Sequence, residues 1–184
     1  MTRWNWCAEA AVLLCSLTAA PGLAEGFDLG LGLGFVNHKQ GFEGGWDIQI
    51  GYEFKQTQRF DIGVQWQMLR GWTSEDSLGT EEGMSFRSNA LYLTARPRHE
   101  ALSWLQFKAG VIHADFKISE FDYTAGSVQL RADQNGATGV GLGLGFVLGS
   151  EKLRVHLFDY QRYMIGGESF DAFGISLVVL AGGR

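Results

Sequence analysis

The residues able to do chemistry are few and scattered. The chain has four histidines, His38, His99, His113 and His156, and two cysteines, Cys7 and Cys15. A nucleophilic relay needs a Ser, a His and an acid within hydrogen-bond reach of one another. His113 has Asp115 and Ser119 close by in sequence, but such neighbours occur by chance in many chains. No His or Cys group has metal-ligand spacing. Glu75, Asp76, Glu81 and Glu82 read as a solvated acidic loop and not as a calcium site. The expectation is therefore no catalytic residues, no metal and no cofactor. What remains is a set of polar residues spaced two apart from apolar ones: Glu53, Asp61, Gln65, Gln67, Arg96, Lys108, Arg154 and His156. Both signs of charge are present, so these side chains are able to neutralise one another. They would serve either as a gate in a narrow pore or as a satisfied plug, and the plug is the reading adopted.

The elements that carry these residues follow from the alternation itself. Leu29, Leu31, Leu33 and Phe35 alternate with Gly30, Gly32 and Gly34, and Val140, Leu142, Leu144 and Phe146 alternate with Gly139, Gly141, Gly143 and Gly145. A period of two is the strand period. About ten residues is the length of a tilted strand that crosses a bilayer. Eight such segments are expected, near 27–36, 46–54, 59–70, 86–96, 104–118, 138–148, 152–163 and 170–180. In the fifth, the apolar parity changes after Val111, since Ala114, Phe116 and Ile118 fall on the other face; a β-bulge or an extension above the membrane would explain it. In the seventh, Leu153, Val155 and Leu157 oppose His156, Phe158 and Tyr160. The fold class expected is all-β, an eight-stranded antiparallel up-and-down transmembrane β-barrel.

Ahead of the strands, Arg3 and the apolar run Ala10–Ala20 form the first two parts of a secretion signal, and Gly22-Leu23-Ala24 offers small residues at a cleavage site. The expected organisation is a removed signal peptide at 1–24 and a barrel domain at 25–184. Both cysteines then leave with the leader. The formal net charge of −5 is spread out, with no basic run of the kind that binds nucleic acid.

Connection lengths and volume orient the barrel. Short connections at 55–58, 97–103 and 149–151 alternate with longer ones, of which 71–85 and 119–137 are the longest. Outer-membrane barrels have short periplasmic turns and longer outer loops. Both termini are then periplasmic. A lipocalin-like barrel alternates too, with its apolar face inward. The interior of eight strands is too narrow for so many Trp, Phe, Leu and Ile, whereas the glycine-rich face suits it. Tyr52, Phe54, Phe60, Trp104 and Phe107 at one end, and Phe35, Trp46, Trp66, Phe86, Tyr163 and Phe173 at the other, read as two lipid-facing aromatic girdles. In the 119–137 connection, Phe121 and Tyr123 are expected to fold back on the barrel rim, the alternative being that they offer a contact site.

The Gly-x-Gly strands, the run Gly44-Gly45-Trp46-Asp47-Ile48-Gln49-Ile50-Gly51-Tyr52 and the run Phe173-Gly174-Ile175-Ser176-Leu177 resemble the OmpA/OmpX-like outer-membrane β-barrel superfamily. The resemblance implies insertion by the barrel assembly machinery, with Gly174, Leu177 and Val179 as part of the signal in the last strand. The family usually closes on an aromatic residue, whereas this chain ends Leu180-Ala181-Gly182-Gly183-Arg184. Some relatives of this kind are lipid A deacylases, which carry a His-x-Ser pair; none of the four histidines here is followed by Ser two residues on. The function expected is a structural or surface-interaction protein of a Gram-negative outer membrane, a monomer among outer-membrane lipids and lipopolysaccharide. A narrow channel for small solutes and a lipid A modifying enzyme are the alternatives.

Overall fold

In the computed structural model, residues 26–38, 41–71, 83–122, 124–149 and 153–181 are described. The leader lies outside them. The strands are β1 (Phe27–His38), β2 (Gly41–Gln56), β3 (Phe60–Gly71), β4 (Gly83–Pro97), β5 (Leu105–Asp122), β6 (Ser127–Gly149), β7 (Leu153–Ile165) and β8 (Glu168–Ala181). Each pairs antiparallel with its sequence neighbour, and β1 pairs with β8 to close the barrel. Closure satisfies every strand edge inside the ladder, which is what a sheet needs where no water can reach its backbone.

The alternation puts side chains where the sequence pattern implies along the middle of the strands. Leu31 and Leu93 are 61% exposed, Leu142 is 53% and Leu177 is 49%, while Asp47, Gln49, Gln65, Gln67 and Lys108 are buried. A soluble fold inverts this pattern. A wall of exposed Leu, Val, Ile and Phe around a polar interior is stable only in contact with hydrocarbon. The protein is a transmembrane β-barrel.

Several expectations give way to longer strands. The 119–137 segment is not a loop. β5 runs for 18 residues and β6 for 23, and they pair out to Asp122↔Ser127. Ladder hydrogen bonds satisfy the backbone there at no cost in apolar surface. Two register shifts let this hairpin diverge from the barrel wall. Both extra residues sit on β6, where Gly136 takes a φ of +71° and its N–H donates to Asp115 Oδ1 at 2.7 Å. Gly166 and Gly167 make the β7–β8 connection with φ of +59° and +85°, the pair of positive values that a two-residue type I′ hairpin requires. The side chain of Phe121 and all of Tyr123 lie outside the described residues, as does most of the 71–85 connection.

β5 does not change parity. Lys108, Ile112, Ala114, Phe116 and Ile118 all point inward, and β5 pairs with β4 without a break from Gly83↔Ser119 to Ala95↔Phe107. What changes along the strand is the chemistry of the interior. In β7 the parity does change: a register shift between His156 and Asp159 turns Leu157 and Phe158 both outward. Asp159 therefore points inward and Tyr160 outward, the reverse of the simple alternation. A further shift, between Glu53 and Lys55, occurs in β2 near the same end of the barrel.

Candidate functional site

The lumen has three layers. The middle one is a chain of amides and carboxylates. Gln65 Nε2 donates to Gln49 Oε1 at 2.7 Å, and Gln49 Nε2 donates to Asp47 Oδ2 at 2.6 Å. Gln67 Nε2 donates to the same oxygen at 2.9 Å. Gln161 Nε2 reaches Gln67 Oε1 at 2.8 Å and Asp159 Oδ2 at 3.1 Å, and Lys108 Nζ pairs with Asp159 Oδ2. Tyr92 and Tyr163 donate to Gln161 Oε1 at 2.7 and 2.9 Å. Glycines make the room. A Cβ on Gly32 would collide with Asp47 Oδ1 and Ser176, and one on Gly141 would stand 2.9 Å from the Tyr92 hydroxyl. The Gly-x-Gly pattern is thus the inward half of a packed polar core.

Below this layer, toward the β2–β3, β4–β5 and β6–β7 turns, lies a charge cluster. Glu53 Oε1 accepts from Arg154 at 2.7 Å and faces Arg96 at 3.3 Å; Asp61 Oδ2 accepts from Arg96 at 3.1 Å. Arg98 approaches Asp61 Oδ1 at 3.7 Å from the rim. Removing one member of such a buried cluster leaves an uncompensated charge, which is costly.

Above it, toward the β5–β6 hairpin, the lumen is apolar. Phe170 packs on Phe86 at 5.0 Å, on Phe116 at 4.9 Å and on His38 at 5.1 Å between ring centroids. Phe86 also stacks on Tyr163 at 5.8 Å. Ile112, Ile118, Ile165, Met84 and Val36 complete the cluster. Phe86 and Tyr163 are therefore not lipid-facing girdle residues. The strands at this end are longer than a bilayer crossing needs, and their inward faces meet one another like the two faces of a soluble sheet protein. The interior does hold large aromatic groups, contrary to the volume expectation, because they are confined to this end.

The eight polar residues singled out from the sequence occupy two of these layers: Glu53, Asp61, Arg96 and Arg154 the charge cluster, and Gln65, Gln67 and Lys108 the amide chain. His156 is buried beside them, and its Nδ1 has no hydrogen-bond partner. Sequence reasoning missed Asp159 and Gln161, which the β7 bulge re-aims, and the hydroxyls of Tyr92 and Tyr163. Asp47 and Gln49 were legible as inward-facing but were not counted in the network.

The other histidines are spread out. His38 is buried under the hairpin end, with Nε2 3.1 Å from Glu168 Oε2. His113 is exposed on the outer wall, 3.1 Å from Thr138 Oγ1, while Ser119 is buried. His99 Nδ1 accepts from Ala101 N in the turn before β5. Among the described residues no group of His, Cys, Asp and Glu is arranged to hold a metal ion.

At the seam, Gly174 pairs with Gly34, Leu177 with Leu31 and Val179 with Leu29. Leu177 and Val179 face outward. The outer wall from β5 to β8 carries a run of rings: Trp104 stacks on Phe146 at 5.1 Å, Phe146 meets Phe158 at 5.9 Å, Phe158 meets Phe173 at 5.8 Å, and Phe173 meets Tyr160 at 5.3 Å.

No protein-family model and no curated protein sequence matches the chain. Among solved structures it is similar to Neisserial surface protein A, with 11% identity and a TM-score of 0.46 over 85% of this chain and 97% of that one. It is similar to Ail, the attachment invasion locus protein of Yersinia pestis, with 16% identity and a TM-score of 0.46 over 84% and 98%. The N-terminal β-barrel domain of Pseudomonas aeruginosa OprF gives 13% identity and a TM-score of 0.37 over 82% and 96%. By its own topology, eight sequentially ordered antiparallel strands closed around a filled interior, the chain has the architecture of the small OmpA/OmpX-type outer-membrane barrels.

Proposed function

We propose that this protein is a closed outer-membrane anchor whose hairpin end meets the outside of a Gram-negative cell. One observation carries the reading: an apolar outer wall surrounds a lumen in which the described residues form layers of ion pairs, amides and aromatic rings. A filled barrel has no path for solute, so the parts free to act are those beyond the wall. Among the described residues the β5–β6 hairpin is the longest of these, and its tip at Thr124–Gly126 is exposed. Both chain ends then lie in the periplasm, on the side of the β2–β3 turn.

The same reading takes 1–24 as a removed secretion signal and 25–184 as the barrel. It assigns insertion to the barrel assembly machinery, with Gly174, Leu177 and Val179 in the strand presented to it. It requires no cofactor and no catalytic step, and it has the protein act as a monomer. The burial of the His156 ring favours a non-catalytic role for that residue.

Planar-bilayer recording of refolded protein, beside surface proteolysis of whole cells, tests this. A silent bilayer and cleavage at the hairpin tip are expected. Stepwise conductance would favour the channel instead, and cleavage confined to the β2–β3 turn would invert the topology.

A further inference from the structure

Four polar atoms in the middle of the lumen have no hydrogen-bond partner: Asp47 Oδ1, Asp159 Oδ1, Ser176 Oγ and His156 Nδ1. Their residues are all more than nine-tenths buried. Three of them share one cross-strand row, in which His156 pairs with Ser176, Ser176 with Gly32, and Gly32 with Asp47. Asp159 stands in the next inward row, paired with Gly174. Both carboxylates join the amide chain through Oδ2 and leave Oδ1 unused.

Glycines bring these atoms together and leave space beside them. A methyl group on Gly32 would collide with both Asp47 Oδ1 and the Ser176 Cβ, so the carboxylate and the hydroxyl converge over one glycine. Gly145 and Gly174 flank Asp159 in its row. A methyl group on Gly145 would stand 3.5 Å from Asp159 Oδ1, and one on Gly174 would meet Leu33 O at 3.6 Å and Asp159 Cβ at 3.7 Å. These are ordinary contact distances, so the carboxylate has room at its side.

Charge decides what fits there. Among the described residues, the charged side chains of this layer are Asp47, Asp159 and Lys108, two negative and one positive. Lys108 pairs with Asp159 Oδ2, and the donors to Asp47 are the neutral amides of Gln49 and Gln67. Arg96 and Arg154 are paired with Glu53 and Asp61 in the cluster below. A buried carboxylate without a compensating charge is costly. One positive charge balances the layer. Oxygen donors suit a hard cation, and histidine or cysteine spacing does not bear on such an ion. A single excess charge matches a monovalent ion better than a divalent one.

We propose that the lumen holds one monovalent cation, sodium or potassium, between Asp47 Oδ1, Asp159 Oδ1 and the Ser176 hydroxyl oxygen. The ion neutralises the amide layer. It is captured as the barrel closes, because Asp47 on β2 meets Ser176 on β8 only across β1.

Refolded full-length barrel in lipid vesicles is titrated with urea while sodium or potassium chloride replaces choline chloride at constant ionic strength. Choline is too large for the site. An ion bound only by the folded form raises the folding constant in proportion to its concentration near saturation, roughly tenfold for each tenfold of ion. That rise is expected for sodium or potassium on wild type. It is expected to vanish in Asp47→Asn, whose amide removes the excess charge and offers an N–H to Ser176. Heat-modifiable mobility checks that the variant is folded. Crystals of wild type grown in a rubidium salt give a readout that needs no variant, an anomalous peak touching Asp47, Asp159 and Ser176. Equal folding constants in choline, sodium and potassium would overturn the proposal and leave only water in the space. So would a dependence that persists in folded Asp47→Asn, or a rubidium peak confined to the barrel rim.

Discussion

Gln67 of β3 and Gln161 of β7 stand on opposite sides of the eight-stranded barrel, yet the Gln161 amide donates to the Gln67 carbonyl oxygen at 2.8 Å. A single hydrogen bond spans the lumen. Gln161 also accepts from Tyr92 and Tyr163 and donates to Asp159, so one side chain links the polar and apolar layers. Gln161→Leu is expected to destabilise by about 2–4 kcal/mol, because several buried polar groups lose their partner together. Urea titration of folding into lipid vesicles measures it. A change below a few tenths of a kcal/mol would mean the crossing contact does not organise the core.

Lys108 and Asp159 form the fully buried ion pair. Lys108→Met leaves the carboxylate uncompensated and should cost about 3–5 kcal/mol. Lys108→Met/Asp159→Leu should recover most of that loss, since removing both charges removes the desolvation penalty as well. A double-mutant cycle in refolding titrations checks the pair. Additive losses would show that the two side chains do not depend on each other.

Leu177 faces outward on β8 and pairs with Leu31 of β1. Leu177→Arg is expected to cost ~2–4 kcal/mol near the bilayer midplane. Gln58→Arg, on the exposed β2–β3 turn, should leave stability within about 0.5 kcal/mol, as surface changes usually do. Equal effects in the same titration would contradict the assignment of the outer wall.

Gly32 faces Asp47 and Ser176 where no side chain fits. Gly32→Val is expected to prevent the compact, heat-modifiable form seen on unheated gels, because crowding a packed interior forces side chains and backbone apart. Gly167→Ala, at a positive φ with open space around it, should cost only about 1 kcal/mol and leave that form intact. If the Val variant ran as folded protein, the glycine face would not be the packed one.

In intact cells, added protease is expected to cut at Thr124–Gly126 and to spare Thr57–Arg59. Mass spectrometry of released peptides reads the outcome. The reverse pattern would place the termini outside.

The number of strands, their period and the outward direction of Leu31, Leu93, Leu142 and Leu177 were all legible in the sequence. In a barrel wall each side chain meets either lipid or lumen, so alternation alone carries that information. Tertiary structure decided what strict alternation cannot encode. The register shift near His156 resets the parity locally, which is how Asp159 enters the lumen and Phe158 leaves it. Phe86 and Tyr163 look like girdle residues in sequence. They became a core because their strands run past the bilayer and their inward faces have only each other to pack against. Lys108 and Asp159 meet across β6, and Gln67 and Gln161, four strands apart, meet only when β1 closes on β8. Closure is a property of the whole sheet, and no local pattern of residues specifies which side chains will then face each other across it.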